Sequence, residues 1–324
     1  MTNDQYILVT GANGYLGSYI CRELISRGQP IIAIKYAHYA SVILDHPLIE
    51  YITCDIRQPV RPQIGPALRG KDIYAVVNGA ALLGSSDYEK NYAVNARGVQ
   101  NLIDFSRECG IRRFIQVSSV VILKEFKGPY GETKLIGQQL VEKSGLDYTV
   151  FIPAMILGPE GLGINRILKN VFRFPLFVPM IGRGSQTQHP IFVKDFARYI
   201  VKAIHEKKAY GKAYQIAGDE VIKFSDFIRL IVKINGKKKI FVPVPPLFAR
   251  ILGRFFQKIQ KVPLFTAEHV KGVMQDSKLD TSKIKEDLGD SFTPLAEALK
   301  FTLQEIGQDW DSRLKPRDEK IVKV

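Results

Sequence analysis

Three spaced glycines, Gly11, Gly14 and Gly17 in "VTGANGYLG", stand between an apolar run and a helical pattern near the start of the chain. Glycine allows a tight turn and lets a bound group approach the backbone closely. A turn that opens a helix also presents unpaired N–H groups and the positive end of the helix dipole to an anion. The segment therefore predicts a strand–turn–helix unit that binds the pyrophosphate of a dinucleotide.

Short apolar runs alternate with amphipathic helical patterns through the first half of the chain. The runs are apolar throughout, which is typical of strands buried on both faces of a parallel sheet. Helical patterns end at glycine, as at Gly28 and Gly110. We predict an α/β fold, a Rossmann-type doubly wound parallel sheet. Its strands are expected in "YILVTG", "PIIAIK", "IEYITCDI", "DIYAVVNGAA", "RRFIQVSS" and "DYTVFIPA".

The pattern loosens after Pro153, which predicts a smaller, mainly helical C-terminal substrate region. Residues 175–190 read as a loop, and "FSDFIRLIVKING" as a helix with Ser225 as its N-cap. The expected units are a dinucleotide-binding domain over 1–155, a substrate or lid region over 156–310 and a charged, frayed tail over 311–324. Within the second unit, 191–218 is expected to return to the Rossmann core, with a helix at 192–206 and a strand at 213–218.

The charge is uneven along the chain. There are 46 Lys and Arg against 32 Asp and Glu, a net charge of +14, and no acidic residue occurs in 161–194 or 227–267. Such a basic excess predicts an anionic partner, which could be a substrate, a membrane surface or a nucleic acid. A solvated positive face without a specific partner is the alternative.

Residues 247–265 predict an amphipathic helix, with an apolar stripe that includes Phe248, Leu252 and Phe255 opposite Arg250 and Arg254. Three interpretations stay open: a helix that covers the active site, one that lies on an anionic membrane surface, and one that contacts a partner such as RNA. Nucleic acid is disfavoured because no recognition motif accompanies the charge.

The cysteines, Cys21, Cys54 and Cys109, lie far apart without a CxxC motif, and the five histidines show no metal-ligand spacing. We therefore expect no metal and a reducing, cytoplasmic location, with peripheral association with the inner membrane as a further expectation. The N-terminus shows no signal-peptide pattern, and no apolar run reaches the roughly 18 residues that a membrane-spanning helix needs.

"GPYGETKLIG" places Tyr130 and Lys134 four residues apart, on one face of a helix. Free tyrosine titrates near pH 10, so its use as a base near pH 7 requires roughly 4 kcal/mol of phenolate stabilisation. A lysine ammonium one turn away can supply much of that. Alone the pair is weak evidence, because such pairs are common on helices.

The GxxGxxG spacing together with Tyr130-x-x-x-Lys134 resembles the short-chain dehydrogenase/reductase superfamily, in its extended or atypical branch. The resemblance extends from residue 6 to about 300 through "CDI", "NGAA", "VNARGVQNL", "VSS", "IPAMILGP" and "HPIFVKDFARYI". It implies that Tyr130 is the acid/base, that Lys134 reaches the nicotinamide ribose, that Ser119 bonds the substrate oxygen and that Asn95 holds a water. The dinucleotide-binding residues implied with them are Gly11, Asn13, Gly14, Tyr15, Leu16, Gly17, Lys35, Asp55 (at the adenine), Ile56, Gly79, Ala80, Ala81, Ser118, Tyr130, Lys134 and Pro153.

The end of the second strand predicts which dinucleotide is bound. NAD enzymes of this fold usually carry an acid there for the ribose 2′-OH. Here the position is Lys35, and no carboxylate occurs between Glu23 and Asp45. A lysine would attract a 2′-phosphate, so NADP(H) is favoured over NAD(H).

Ser119 and Tyr130 are only 11 residues apart, whereas nucleotide-sugar enzymes of the extended branch usually carry a longer insertion between these positions. The interval and the later segments resemble atypical members related to the NADPH-binding accessory subunit of respiratory complex I. We predict an NAD(P)-dependent oxidoreductase acting on a carbonyl or alcohol of a small-molecule substrate. A nucleotide-sugar epimerase/dehydratase and an NADPH-holding assembly or membrane-associated protein with little turnover are the alternatives. A homodimer is a further expectation.

Overall fold

A seven-stranded parallel sheet forms the centre of the fold, in the computed structural model of the protein, which describes residues 5–36, 42–245, 247, 275–307 and 320–323. The strand order is β12-β7-β6-β5-β1-β2-β4, and every pairing in this sheet is parallel. The order reverses at β1, so a crevice opens at the carboxyl ends of β1 and β5. The predicted doubly wound α/β fold is confirmed.

The strands coincide with the apolar runs of the sequence in the first half and include short pairs in the second. They are β1 Tyr6–Thr10, β2 Ile31–Lys35, β3 Val42–Asp45, β4 Ile49–Thr53, β5 Ile73–Asn78, β6 Arg113–Val117, β7 Asp147–Pro153, β8 Ile156–Leu157, β9 Phe177–Ile181, β10 Thr187–Gln188, β11 Ile191–Phe192, β12 Lys212–Ile216, β13 Ile222–Lys223, β14 Ile240–Val244 and β15 Lys320–Lys323.

Helices cover both faces of the sheet. They are α1 Tyr15–Ser26, α2 Val60–Ile64, α3 Tyr88–Tyr92, α4 Gly98–Glu108, α5 Gly128–Glu142, α6 Leu162–Phe172, α7 Val193–His205, α8 Phe224–Ile234, α9 Ser282–Leu288 and α10 Leu295–Ile306. A five-residue π-helix, Ala93–Arg97, joins α3 to α4, and short 3-10 helices lie at Gly65–Leu68, Val120–Leu123 and Lys207–Ala209.

The two faces of the sheet form two separate apolar cores. Ile7 and Val9 point into the layer that holds α1 and α7, whereas Leu8 and Val76 point into the layer that holds α4 and α5. Successive side chains of a strand alternate between faces, so a strand buried on both faces must be apolar throughout. This requirement explains why these strands could be recognised from the sequence.

The second half contributes both to the central sheet and to smaller sheets. β12 pairs with β7 and so completes the central sheet, reached through β11 and α7. The strand pairs β8–β11, β9–β14 and β10–β13 lie beside it, with α6, α8, α9 and α10.

Three local predictions are wrong. Residues 177–181, expected in a loop, form β9, which pairs in parallel with β14 more than fifty residues later. Residues 320–323, expected in a frayed tail, pair with β3. α8 begins at Phe224 with Lys223 at the N-cap position, so Ser225 lies inside the helix and is not its cap. The first two errors arise because a pairing between distant segments leaves no local periodicity to read.

The part of the chain that the structure describes contains no helix that is both long and apolar enough to cross a bilayer. The amphipathic helix predicted over 247–265 lies, apart from Leu247, outside the described residues.

Candidate active site

The turn between β1 and α1 is built so closely that its glycines cannot be replaced. Gly11 has a φ of +64°, and a Cβ on Gly17 would lie 2.0 Å from the Gly11 carbonyl oxygen. Gly14 donates its N–H to that same oxygen at 2.8 Å and stands at the N-cap of α1 without a side-chain cap. The amides of the first turn of α1 therefore face an anion site at the sheet edge.

A buried polar chain crosses the sheet directly beneath this turn. Thr10 Oγ1 donates to Asn78 Oδ1 at 2.5 Å, and Asn78 Nδ2 donates to Gln116 Oε1 at 2.9 Å. The Gly79 amide bonds the Thr10 carbonyl at 3.2 Å, and a Cβ on Gly11 would lie 3.0 Å from Ala80 Cα. The chain thus fixes the "NGAA" segment against the glycine turn.

Thr10 and Gln116 were not predicted as site residues. A polar side chain at the carboxyl end of an otherwise apolar strand is the signal that could have found them.

Ser118 and Ser119 follow β6 at the same edge. The Ser118 amide bonds the Phe151 carbonyl at 2.7 Å, and its Oγ is buried without a hydrogen-bond partner among the described residues. Ser119 Oγ accepts from the Val121 amide at 3.3 Å, which caps the 3-10 helix, and its proximity to Tyr130 partly lowers the pKa of that phenol. A buried hydroxyl without a partner, next in the chain to a serine that lies near a tyrosine, is typical of a site that binds a polar ligand.

Tyr130 and Lys134 lie one turn apart in α5, as predicted from their spacing. Burial raises the pKa of Tyr130 to about 12, and the nearby Ser119 side chain opposes this only in part. Lys134 is 2% exposed, donates from Nζ to the Val117 carbonyl at 2.5 Å, and has a pKa lowered by burial to about 8. The protein alone therefore does not produce the lowered tyrosine pKa that the sequence led us to expect.

Asn95 lies in the π-helix and is tied to two neighbouring elements. Its Oδ1 accepts from the Leu82 amide at 3.0 Å, and its Nδ2 donates to Thr133 Oγ1 at 3.2 Å. α5 packs against the Asn95 carbonyl so closely that a Cβ on Gly137 would lie 2.1 Å from that oxygen. Single-turn π-helices often occur at functional sites, and this one fastens the "NGAA" loop to the helix that carries Tyr130.

The carboxyl ends of β2 and β4 bring a further cation to the crevice. Arg57 binds the Asp55 carboxylate through Nε at 2.8 Å and Nη2 at 2.6 Å, and Nη2 also donates to Tyr36 Oη at 2.8 Å. Lys35 ends β2 at the same edge. Asp55, predicted at the adenine, thus carries a partner two residues later in the same loop that was not predicted, and the Tyr36 contact of Arg57 crosses to the end of β2.

The remaining residues predicted to bind the dinucleotide differ in burial and position. Asn13, Leu16 and Ile56 are buried, and Pro153 ends β7. The ring of Tyr15 packs away from the turn, where its hydroxyl fills the space that a Cβ on Gly158 would need. Ala81 is exposed at the rim.

A segment near the C-terminus closes one side of the site, and sequence reasoning missed it. Gln275 accepts from the Phe126 amide at 3.1 Å and donates to the Phe126 carbonyl at 3.2 Å. Leu279 packs with Val120 and Ala154 in a small apolar cluster. The loop between Ser119 and Tyr130 is therefore held from outside by residues 275–279, which we call the strap.

This arrangement fits a nicotinamide dinucleotide. The glycine turn and the capless start of α1 match a pyrophosphate, and the Ser118 hydroxyl at the same edge of the sheet is buried without a hydrogen-bond partner among the described residues. The described residues contain no group of three His, Cys, Asp or Glu side chains that could hold a metal ion.

Comparison with known proteins agrees with this geometry. The model of the NAD dependent epimerase/dehydratase family matches residues 7–217. Mitochondrial NADH dehydrogenase (ubiquinone) 1 alpha subcomplex subunit 9 of Dictyostelium discoideum is 24% identical over 90% of this chain and 82% of its own. The 3beta-hydroxysteroid-dehydrogenase/decarboxylase isoform 1 of Arabidopsis thaliana is 25% identical over 99% of this chain and 83% of its own.

Among solved structures, a dTDP-glucose 4,6-dehydratase from Streptomyces venezuelae with NAD bound superposes with a TM-score of 0.74. It is 19% identical, and the match covers 96% of this chain and all of that one. At this identity the likeness shows a shared fold.

Proposed function

The chain belongs to the NAD-dependent epimerase/dehydratase family, and from that membership we propose that it is an NADP(H)-dependent oxidoreductase of the extended or atypical short-chain type. Its substrate would be a small molecule with a carbonyl that is reduced to an alcohol. The observation that carries the proposal is that Ser119, which follows β6, lies close enough to Tyr130 in α5 to lower the pKa of its phenol, at the edge of the sheet where the neighbouring Ser118 hydroxyl is buried without a partner among the described residues.

The proposed chemistry assigns each step at the substrate to this chain's own side chains. Ser119 Oγ would bond the substrate oxygen and orient it toward Tyr130 Oη, which would donate a proton to that oxygen. The bound nicotinamide would supply the hydride. Lys134, buried with a pKa lowered to about 8, is suited to hold a proton close to neutral pH and release it readily.

The raised pKa of Tyr130 keeps its phenol protonated at neutral pH in the protein alone, which is the state that donates a proton to a carbonyl oxygen. The same buried phenolate forms when the phenol gives up its proton in reduction and is needed before an alcohol is oxidised, so the pKa favours neither direction.

The test is NADPH oxidation by the whole protein against a panel of ketones, aldehydes, quinones and nucleotide sugars. We expect turnover with at least one carbonyl compound, and a loss of at least a hundredfold in kcat on Tyr130→Phe with dinucleotide affinity kept. Turnover that survives Tyr130→Phe would remove the acid role.

We further propose that Lys35 and Arg57 select NADP(H) through the 2′-phosphate. Both cations lie at the ends of adjacent strands, and Arg57 can present a planar fork to a phosphate. Lys35→Asp should lower the affinity for NADPH by at least tenfold and leave the affinity for NADH within about twofold of the wild type, as measured by titration of dinucleotide binding. Arg57→Leu should act in the same direction, and Arg61→Leu, an exposed arginine on α2, is the matched control. Equal losses for both dinucleotides would remove the argument from charge.

A second candidate function is an NADPH-holding protein with little turnover, which one observation favours. In the protein alone the tyrosine pKa is raised and Lys134 bonds the Val117 carbonyl, so the pair is not tuned for proton abstraction. The relative in Dictyostelium is named as a subunit of NADH dehydrogenase. Tight NADPH binding without turnover on the whole panel would favour this candidate.

Nucleotide-sugar epimerisation or dehydration remains the alternative chemistry for the same residues. The short interval from Ser119 to Tyr130, with Phe126 in its middle held by Gln275, leaves little chain to contact a sugar nucleotide. Turnover of a nucleotide sugar in the panel would reverse this preference. A cytoplasmic location and a homodimer remain predictions.

A further inference from the structure

The two-stranded ribbon of β9 and β14 carries an exposed apolar surface. Pairing sets Phe177 opposite Ile240 and Pro179 opposite Val242, and all four are exposed. Leu176, which precedes β9, is 72% exposed, and Ile240 is 70% exposed. These side chains lie at one end of the ribbon, and we call Leu176, Phe177, Ile240 and Val242 the ribbon tip.

Exposed apolar side chains are clustered at the ribbon tip and occur singly in most other places. Ten large apolar or aromatic side chains are exposed in the described part of the chain, and four of them belong to the tip. A fifth, Leu247, follows β14 by three residues and is 69% exposed. Single exposed apolar residues are ordinary, but a cluster of this kind marks an interaction surface.

Only basic charges flank the ribbon tip along the chain. Arg173 lies three residues before Leu176 and is exposed, and Lys237 and Lys238, also exposed, lie three and two residues before the start of β14 at Ile240. Both strands fall inside the acid-free stretches 161–194 and 227–267. Arg229, whose guanidinium covers Phe241, forms an ion pair with Asp226. Phe241 alternates with Ile240 and Val242 along β14.

The ribbon is firmly attached, so its tip is presented on a rigid support. Lys239 Nζ donates to the Val171 carbonyl at 2.8 Å and to the Phe174 carbonyl at 2.5 Å, which ties β14 to the end of α6. The rings of Phe174 and Phe177 stack at 4.5 Å. An apolar wedge that needs no reordering binds with little entropic cost.

We propose that the ribbon tip docks the protein on an anionic lipid bilayer, with the four apolar side chains in the headgroup region and Arg173, Lys237 and Lys238 on the lipid phosphates. An apolar face rimmed by lysine and arginine is the pattern that interfacial binding requires, because burial and attraction to anionic lipid add. A soluble protein partner would need acidic residues of its own to meet this rim, whereas an anionic bilayer supplies the charge and the apolar phase together. This proposal does not depend on the proposed enzymatic function.

Co-sedimentation with vesicles tests the proposal on the full chain. We expect binding to vesicles of equal parts phosphatidylcholine and phosphatidylglycerol, no binding to phosphatidylcholine alone, and release by high salt. Leu176→Ser with Ile240→Ser should weaken binding roughly tenfold or more, since each apolar side chain buried contributes on that order. Lys237→Ala with Lys238→Ala should also weaken it roughly tenfold.

Matched controls separate this surface from general basicity. Lys207→Ala with Lys208→Ala removes the same charge from an exposed pair in another part of the fold, and Val221→Ser removes an exposed apolar side chain from another strand pair. Both controls should bind within about twofold of the wild type. Equal losses from the two lysine pairs would overturn the proposal in favour of unspecific attraction.

A site-specific probe tests direct contact. With Trp310→Phe, which removes the single native tryptophan, a tryptophan at position 240 (Ile240→Trp) should shift its emission to the blue on anionic vesicles, and one at position 221 (Val221→Trp) should not. No shift at position 240 overturns the proposal. A dimer seen by analytical ultracentrifugation that Leu176→Ser and Ile240→Ser dissociate, without vesicle binding by the wild type, would assign the ribbon tip to self-association instead.

Discussion

The surroundings of Lys134 oppose its charge. Its side chain is 2% exposed, and the described residues give its Nζ one acceptor, the Val117 carbonyl. Burial lowers its pKa from 10.5 to about 8, so the folded protein holds an ammonium at a cost in stability. Such costs are typical of functional sites, where a group is kept for its chemistry and not for its contribution to folding.

Replacement of Lys134 by methionine should therefore stabilise the fold at neutral pH. The lowered pKa corresponds to a cost of about 3 kcal/mol at most in the free energy of folding, which the substitution removes. The substitution also removes the hydrogen bond to the Val117 carbonyl, which reduces the gain by roughly 1 kcal/mol. Because the folded pKa is below the unfolded one, the cost of the lysine is complete below pH 8 and disappears as the pH rises through 8 to 10.5. The increase in the free energy of unfolding caused by Lys134→Met, measured by urea unfolding, should accordingly be largest near neutral pH and vanish at about pH 10.5.

The neighbouring Lys143 provides the control for that measurement. It is exposed at the end of the same helix, so Lys143→Met should change the free energy of unfolding by less than about 0.5 kcal/mol at any pH. If Lys134→Met is instead strongly destabilised at neutral pH, the hydrogen bond of the ammonium contributes more free energy to folding than the burial of its charge costs.

At the scale of elements, the strap connects the C-terminal region to the loop between Ser119 and the helix that carries Tyr130. Its attachments are the two Gln275 bonds to Phe126, the Asp276 carboxylate that accepts from the Thr187 amide at 2.7 Å, and the Leu279 amide that bonds His189 Nδ1 at 3.2 Å. Between Ser119 and the start of α5 at Gly128, all within the described residues, the only regular structure is the 3-10 helix Val120–Leu123. The position of this loop beside Ser119 thus depends on a segment about 150 residues away in the chain.

Gln275→Ala should loosen that loop without unfolding the protein. Loss of both side-chain bonds removes roughly 1–2 kcal/mol, so amide hydrogen exchange at 120–129 should accelerate about tenfold or more. Gln63→Ala is the matched control, because Gln63 makes equivalent bonds to the Asp55 and Pro59 backbone in another loop. It should accelerate exchange near residue 55 and leave 120–129 unchanged, whereas an effect of Gln275→Ala spread over the whole sheet would indicate general destabilisation.

Elements whose signal is local could be predicted from the sequence, and those that depend on distant pairing could not. β1, the glycine turn and α1 follow from one continuous stretch, and the spacing of Tyr130 and Lys134 determined their shared helix face. Nothing in the sequence around β9 reveals that β14 is its partner. The contacts of the strap and the hydrogen bond from Arg57 to Tyr36 likewise join segments that are distant in the chain. The pKa of Tyr130 was also beyond sequence reasoning, because it depends on burial and not on the distance to Lys134 along the helix.

At the scale of the whole molecule, the carboxyl and amino edges of the central sheet have different roles. The carboxyl edge carries the candidate site, and the amino edge is fastened by Arg113 at the start of β6. Its guanidinium donates to the Ile204, Ala203 and Asp147 carbonyls and to Thr149 Oγ1, at 2.5 to 2.9 Å, and lies 4.2 Å from the centre of the Tyr210 ring. One buried side chain thus joins β6, β7 and the end of α7.

If the amino edge contributes to stability and the carboxyl edge to binding, a substitution of Arg113 should lower the stability of the protein and leave dinucleotide binding unchanged. Arg113→Met leaves several buried acceptors without donors, so the free energy of unfolding should fall by about 3–5 kcal/mol. Arg112→Met, at the exposed neighbour whose ion pair with Asp147 spans 3.3 Å, should cost less than about 1 kcal/mol. Urea unfolding measures both, and titration of the folded variants with NADPH should give dissociation constants within about twofold of the wild type. A much weaker NADPH affinity in folded Arg113→Met would show that strain at the amino edge reaches the glycine turn, because the strands that link the two edges are packed as one rigid layer.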